Sequence, residues 1–478
     1  MAATGCGDLI LQYIGLENIS AISDTYFGIM SKSHVIAFGI VFSYMCDQKI
    51  VFVVIGRLAR NQIQDFAGVA RATRYRERRV PMSHSRIASI HIAAIIAVAS
   101  ISVSAFAQQE PCIGNSVALT GPAAFGGLAV KYGAEVAIDE INEKGGVLGK
   151  KLSLIQYDDA GAPPRGVDNV RRIALSDKCV AILGGYHSTV GLAQVDAVNE
   201  IGIPWIGTTG ANTKIIENGK SPNYMFRVSM KDKWVAQYLA DQALKISKNG
   251  KVAIMFENTG WGNGAIGDFK AGMVAKGKEA SAAETFNWAD QDMTAQVIRI
   301  RDSGADTVVL FALDREGNQI LRSMDKLGYK PTIVSAWGLA GNLGELAGPL
   351  ANGVRVIQTY SWMGDMSPKG KAIWDKIQKK YGLKDPSELK MGSATANSYD
   401  AVYILAQAIQ KAGAYDWKKV RDALYTVELQ GLVANYKPAF DASNPERQDA
   451  ILPENYQMTA WSDGKLLPIA QTPYGKSQ

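Results

Sequence analysis

Residues 181–211 read AILGGYHSTVGLAQVDAVNEIGIPWIGTTGA. An apolar run from Val180 to Gly184 ends in the loop Gly184-Gly185-Tyr186-His187-Ser188-Thr189, which opens a helix. A second run, Pro204 to Gly207, ends in Gly207-Thr208-Thr209-Gly210-Ala211-Asn212-Thr213. Short β-rich runs alternating with helices mean a parallel sheet covered by helices. In such a sheet both loops lie at the carboxyl ends of the strands, where ligands bind, and the helix after Ser188 offers free N–H groups to a carboxylate. Ser188 or Thr189 can also simply cap that helix, and the two uses are compatible.

The alternation extends in both directions. Further strands are expected at Ile113 to Leu119, Leu152 to Asp158, Val252 to Glu257, Thr307 to Phe311, Thr332 to Ser335 and Val354 to Thr359. Helices are expected over Gly127 to Lys144, where Val130, Ala134, Ala137, Ile138 and Ile141 repeat at three-to-four spacing, and over Pro368 to Tyr381 and Ala394 to Ala412. Thr120-Gly121-Pro122 with Phe125 closes the first strand in the same layer as the two hydroxyl loops. The series comes in two batches with a break at Ser221 to Asp232, which suggests two α/β lobes of similar architecture.

Upstream, Met82 begins MSHSRIASIHIAAIIAVASISVSAFAQQE. Arg86, the apolar stretch Ile92 to Val103 and Ala105-Phe106-Ala107 form the three parts of a secretory signal peptide over 82–107, with cleavage expected after Ala107. Residues 1–81 precede it. They are read as a leader without a fold, because their apolar runs, His34 to Cys46 and Ile50 to Gly56, are short and irregular. The alternative is a genuine extension that leaves Ile87 to Ala107 as a membrane anchor. Gln108 stands where a lipid-anchored protein would carry Cys, so the expected product is free in the periplasm.

Ten of the 51 basic and six of the 45 acidic residues precede Gln108, leaving 41 against 39, a balance that gives no electrostatic case for nucleic acid. Of four histidines only His187 lies beyond residue 91, which disfavours metal sites and histidine-dependent catalysis. No metal or cofactor is expected. Cys112 and Cys179 stand at the starts of two apolar strands; in an exported protein they are either a disulfide or two buried thiols.

Gly262-Asn263-Gly264-Ala265-Ile266-Gly267 is a literal G-x-G-x-x-G, with Glu284 near the distance of a ribose-binding acid. Asn258 to Trp261 lengthen its turn, and the competing reading is a flexible loop that places Trp261 at the sheet edge. Gly145 to Lys151 lacks the spacing of a phosphate loop, and His187 beside Ser188 cannot form a triad. An NAD-dependent oxidoreductase is thus the rival from the enzyme class.

LTGPAAFGG, AIDEINEKGGVLGKKL, YDDAGAP, AILGGYHSTVGLA, IPWIGTTGA, ENTGWGNG, ADTVVLF, VSAWG and ANSYDAVY occur in this order from Leu119 onward. Together they resemble the branched-chain amino acid, or leucine-type, substrate-binding proteins of ABC importers. The resemblance implies a type I periplasmic binding protein, in which two doubly wound parallel-sheet lobes are joined by a three-strand hinge. Lobe 1 would span 108–228 and 363–436, and lobe 2 229–362 and 437–478. The crossings would fall near Arg227 to Lys231, Thr359 to Met363 and Asn435 to Pro438. It implies a monomeric, non-enzymatic receptor that takes up a small carboxylate-bearing solute and delivers it to permease subunits; a periplasmic sensor uses the same fold.

Carried over residue by residue, the carboxylate-binding hydroxyl falls at Ser188, with Thr209 and Ala211 supplying the second loop and Trp261 the aromatic residue of the second lobe; the N–H groups around Ser188, Thr189 and Thr209 are expected to meet the carboxylate too. Trp337 stands where an acid would hold the ligand ammonium, leaving Asp314 as the next candidate. Phe125, Tyr186, Trp261 and Trp337 could instead line a π-rich pocket for an aromatic or short-chain acid. Gly161 and His187 occupy the positions of the family's disulfide, and the doubly wound order of the fold brings the starts of the Cys112 and Cys179 strands together.

Overall fold

The computed structural model describes residues 110–477 together with the strands β1 (Ile40–Cys46) and β2 (Lys49–Ile55). Residues 1–106 form one unit and 107–478 another. In the first, β1 and β2 pair antiparallel with Ile40 opposite Ile55 and Cys46 opposite Lys49. The Ile/Val/Phe-rich runs pair with each other because only Asp47 and Gln48 separate them, the length of a two-residue hairpin connection. The expected signal peptide lies outside the described residues.

In the second unit, β3 (Cys112–Val117), β4 (Ser153–Asp158), β5 (Ala181–Gly184), β6 (Trp205–Gly207) and β7 (Met225–Arg227) form an all-parallel sheet in the order β4-β3-β5-β6-β7. The order reverses between β3 and β5, so a crevice opens outside their carboxyl ends. The second sheet contains β8 (Val252–Glu257), β9 (Ala282–Phe286), β10 (Thr307–Phe311), β11 (Thr332–Ser335) and β12 (Arg355–Gln358), parallel in the order β9-β8-β10-β11-β12. Two antiparallel strands extend it, β15 (Gln457–Ser462) and β16 (Lys465–Pro468), after a small ladder of β13 (Leu429–Gln430) and β14 (Asn435–Tyr436). Both lobes therefore wind identically, and the crevice of each faces the other.

Seven helices matter below: α1 (Ala124–Glu143), α2 (Ser188–Ile201), α3 (Asp232–Ile246), α4 (Gly260–Val274), α5 (Asp314–Lys326), α6 (Pro368–Tyr381) and α7 (Gly392–Ala412). The expected apolar stripe of α1 is buried, Val130, Ala134, Ala137, Ile138 and Ile141 all facing inward. Burial of roughly 25 cal/mol per Å² of apolar surface is what holds such a helix to its sheet.

The chain passes between lobes after β7 and after β12. Thr359 donates to Asn397 Oδ1 at 2.8 Å, and Trp362 Nε1 donates to the Gly392 carbonyl at 2.8 Å. The third passage lies later than Asn435–Pro438. There β14 is tied to lobe 1 by the Tyr436 hydroxyl on Asp400 (2.9 Å), and Phe440 packs on Phe226 with centroids 4.9 Å apart. Asp449 instead bridges Arg227, and the Ala450 N–H donates to the Arg227 carbonyl at 2.8 Å. Cys112 and Cys179 are joined by a disulfide at the amino ends of the neighbouring β3 and β5, with Cα atoms 4.6 Å apart.

Candidate functional site

The cleft between the lobes contains a small pocket lined by Tyr186, His187, Ser188, Thr209, Gly210, Ala211, Trp261, Leu313 and Trp337. Lobe 1 contributes the loops after β5 and β6, and lobe 2 the segments after β8, β10 and β11. Six of the nine residues expected from sequence meet here. Thr189, Asp314 and Phe125 stand outside it.

Ser188 is the first residue of α2 and is buried. Its Oγ accepts from the N–H groups of Ala211 (3.0 Å) and Asn212 (3.1 Å), which fixes the second loop on the first. A hydroxyl that accepts twice still has its proton to donate. Thr209 is equally buried, and among the described residues its Oγ1 has no partner. Two buried hydroxyl residues thus line the pocket, a set suited to a carboxylate. The apolar walls are Trp261 and Trp337, 4% and 7% exposed, with Leu313. Trp261 donates from Nε1 to Asp232 Oδ1 (3.2 Å) and packs edge-on against Phe311 (5.6 Å), so its ring is held on both sides. Tyr186 packs against Gly126, where a Cβ would come within 1.7 Å of the ring. Burial and the negative charges of Asp314 and Glu257 push its phenol up.

The residues outside the pocket have other partners. Thr189 Oγ1 accepts from the Gly260 N–H of lobe 2 at 3.0 Å, and Asn212 Nδ2 donates to the Gly260 carbonyl at 2.7 Å, so both clasp the start of α4 across the cleft. Phe125 is 43% exposed. Asp314, buried at the start of α5, accepts through Oδ1 from the N–H groups of Gly341 (3.2 Å) and Leu343 (3.1 Å). The glycine motif is helical: Thr259 caps α4 through its hydroxyl, and Gly262 to Gly267 lie within the helix, not in a loop. Gly264 lets Asn212 approach, since a Cβ there would lie 2.1 Å from Nδ2. Glu284 pairs with Arg299 at 2.7 Å. Sequence reasoning passed over His187, which lines the pocket, and Glu257, which it meets; the clue was its position in the same loop as Ser188.

Burial raises Asp314 to about 7 and Asp232 to about 7, desolvation outweighing the hydrogen bonds that oppose it. Each folded-state value lies above the unfolded one, so the folded protein holds protons that the unfolded chain has lost between roughly pH 4 and pH 7. The stability from these groups is present below that window and is lost as pH rises through about 7. Asp314→Asn should therefore shrink the fall in unfolding free energy between pH 5 and pH 8 by about 2 kcal/mol. Urea denaturation of both proteins at the two pH values measures it; equal falls would show that Asp314 titrates normally.

Among the described residues no cluster of His, Cys, Asp and Glu could hold a metal ion, and no helix is long and apolar enough to cross a membrane. The fold and the cleft define a class. Residues 112–464 match the family model for periplasmic binding proteins, and the chain belongs to that family, with the type I fold. A curated relative, the Leu/Ile/Val-binding protein BraC3 of Rhizobium johnstonii, is 31% identical over 328 residues, covering 68% of this chain and 86% of its own. Among solved structures, a type 1 periplasmic binding protein from Bordetella pertussis Tohama I has a TM-score of 0.69 at 26% identity, covering 75% of this chain and all of its own. A solute-binding protein of an ABC transporter from Rhodopseudomonas palustris HaA2, in complex with p-hydroxybenzoic acid, has a TM-score of 0.64 at 21% identity, covering 75% and 95%. The chain is a solute-binding protein of this class.

Proposed function

We propose that the protein is the exported receptor of an ABC importer, which captures a small carboxylate-bearing solute between its lobes and delivers it to the permease. The observation that carries this reading is the pairing of the Ser188 and Thr209 hydroxyls on one lobe with the Trp261 and Trp337 rings on the other, one set for a carboxylate and one for an apolar body. No carboxylate is among the lining residues, which favours an aromatic or aliphatic acid without an ammonium group. The R. palustris complex with p-hydroxybenzoic acid supports the same direction. The amino-acid reading is favoured by the name of the R. johnstonii relative and by Asp314, one residue from the lining Leu313.

A thermal-shift screen of branched-chain amino acids, benzoate and 4-hydroxybenzoate beside sugars and cations tests the reading, because a ligand of the native state stabilises it by mass action. At least one carboxylate should raise Tm, and Ser188→Ala should weaken that ligand about tenfold or more, the loss of one hydrogen bond to a charged group. A hit set confined to sugars or cations would refute the site.

A further inference from the structure

His187 belongs to lobe 1, yet its ring is engaged by lobe 2. Its Nε2 lies 2.7 Å from Glu257 Oε1, at the end of β8, and both side chains are buried, 3% and 0% exposed. The ring stands edge-on to Trp288 (4.8 Å) and to Trp261 (6.2 Å), both of lobe 2. Within its own loop, Nδ1 accepts from the Thr189 N–H at 3.4 Å, an arrangement that leaves the proton on Nε2 to be donated to Glu257. The Glu257 carboxylate also accepts from the Thr259 hydroxyl (2.5 Å) and from Trp288 Nε1 (2.9 Å). Thr259 caps α4, the helix that carries Trp261. The acid thus joins the lobe 1 loop bearing Ser188 to the lobe 2 element bearing the aromatic wall.

Opening the cleft strips Glu257 of one donor and leaves a group that the closed protein keeps dry. Water can satisfy it again only by entering between the lobes, so the pair favours the shut geometry wherever it stays buried. The neutral bonds from Gly260 to Thr189 and Asn212 lie at the same edge and close with it.

We propose that His187 is a positioning residue that latches lobe 1 to lobe 2 through Glu257, and so sets how long a captured solute is retained. The role in retention rests on the receptor reading above; the latch does not. The Gly260 N–H, first in its helix and bonded to Thr189 across the cleft, is a built-in reporter of closure.

Hydrogen exchange of the full chain without solute should show the segment 257–264 exchanging at least fivefold faster in His187→Ala than in wild type, with β3 and β10 unchanged. His187→Gln, which can still donate, should fall between. Glu257→Gln added to His187→Ala should accelerate that segment no further. In stopped-flow measurements with 4-hydroxybenzoate and L-leucine as probes, dissociation of whichever binds should quicken at least fivefold in His187→Ala. Unchanged exchange at 257–264, or an equal rise in β3 and β10, would overturn the latch. Failure of both probes to bind wild type would count against the receptor reading while the exchange data still decide the latch.

Discussion

Arg227→Met should cost the protein about 3–5 kcal/mol of stability, the usual penalty for removing one partner of a buried ion pair. Arg227 is fully buried at the end of β7, where its Nε donates to Asp449 Oδ1 at 2.5 Å. Without it Asp449, also fully buried, keeps among the described residues only Lys231 at 3.4 Å as a counter-charge. The same guanidinium donates from Nη1 to the carbonyls of Gly210 (3.1 Å) and Asn212 (3.0 Å), the loop that supplies Thr209 and Ala211 to the pocket. Urea denaturation should show the stability loss. A double variant, Arg227→Met with Asp449→Leu, should recover much of it because no charge is left alone in the interior. It should not recover solute affinity, since the loop carbonyls remain without their donor. If the double variant restored both, the guanidinium would have no part in shaping the site.

Trp337→Ala should weaken an aromatic or aliphatic acid by about ten- to a hundredfold, because a large buried ring contributes about 1.5–3 kcal/mol of apolar contact, and each 1.4 kcal/mol is a factor of ten. Asp314→Asn should leave the same acid nearly unaffected: an asparagine carbonyl can accept from the N–H groups of Gly341 and Leu343 as the carboxylate does. An amino-acid ligand reverses the order. Its ammonium would lose the nearest counter-charge in Asp314→Asn, and affinity should then fall at least as far as in Ser188→Ala. Calorimetric titration of the two variants with one carboxylate hit separates these cases, and equal small effects from both would remove lobe 2 from the site.

The stretch from Val180 to Thr213 was legible because strand, loop, helix and strand are local patterns, and the rule that ligands sit at the carboxyl ends of parallel strands needs no knowledge of the other lobe. Ser188, Thr209 and Ala211 follow from it and meet in the pocket. Thr189 reads from sequence as a residue whose N–H meets the carboxylate, but that N–H donates to His187 Nδ1 at 3.4 Å, and its hydroxyl accepts from the Gly260 N–H, a contact that exists only when two distant segments are apposed. His187 was discounted as a triad member for a sound local reason, and its partner lies 70 residues on. The glycine motif followed a strand and preceded a helix as a nucleotide loop would, yet Thr259 starts the helix early enough to absorb it. Strand β9 has little apolar contrast, with Ala283 and Thr285 exposed at the sheet edge, so periodicity gives it no strong mark.

The Cys112–Cys179 bridge fastens the amino ends of β3 and β5, while the cleft pocket lies at the opposite, carboxyl ends. The covalent tie thus holds one pole of the lobe and leaves the loops of the other pole uncrosslinked. The thiols that make the tie are 67 residues apart, so closing it shortens the unfolded chain's freedom over the segment that builds β3, β4 and the approach to β5. A copy retained in a reducing compartment would lack that restraint and be the easier substrate for a protease, with the cleft's chemistry still written in its sequence.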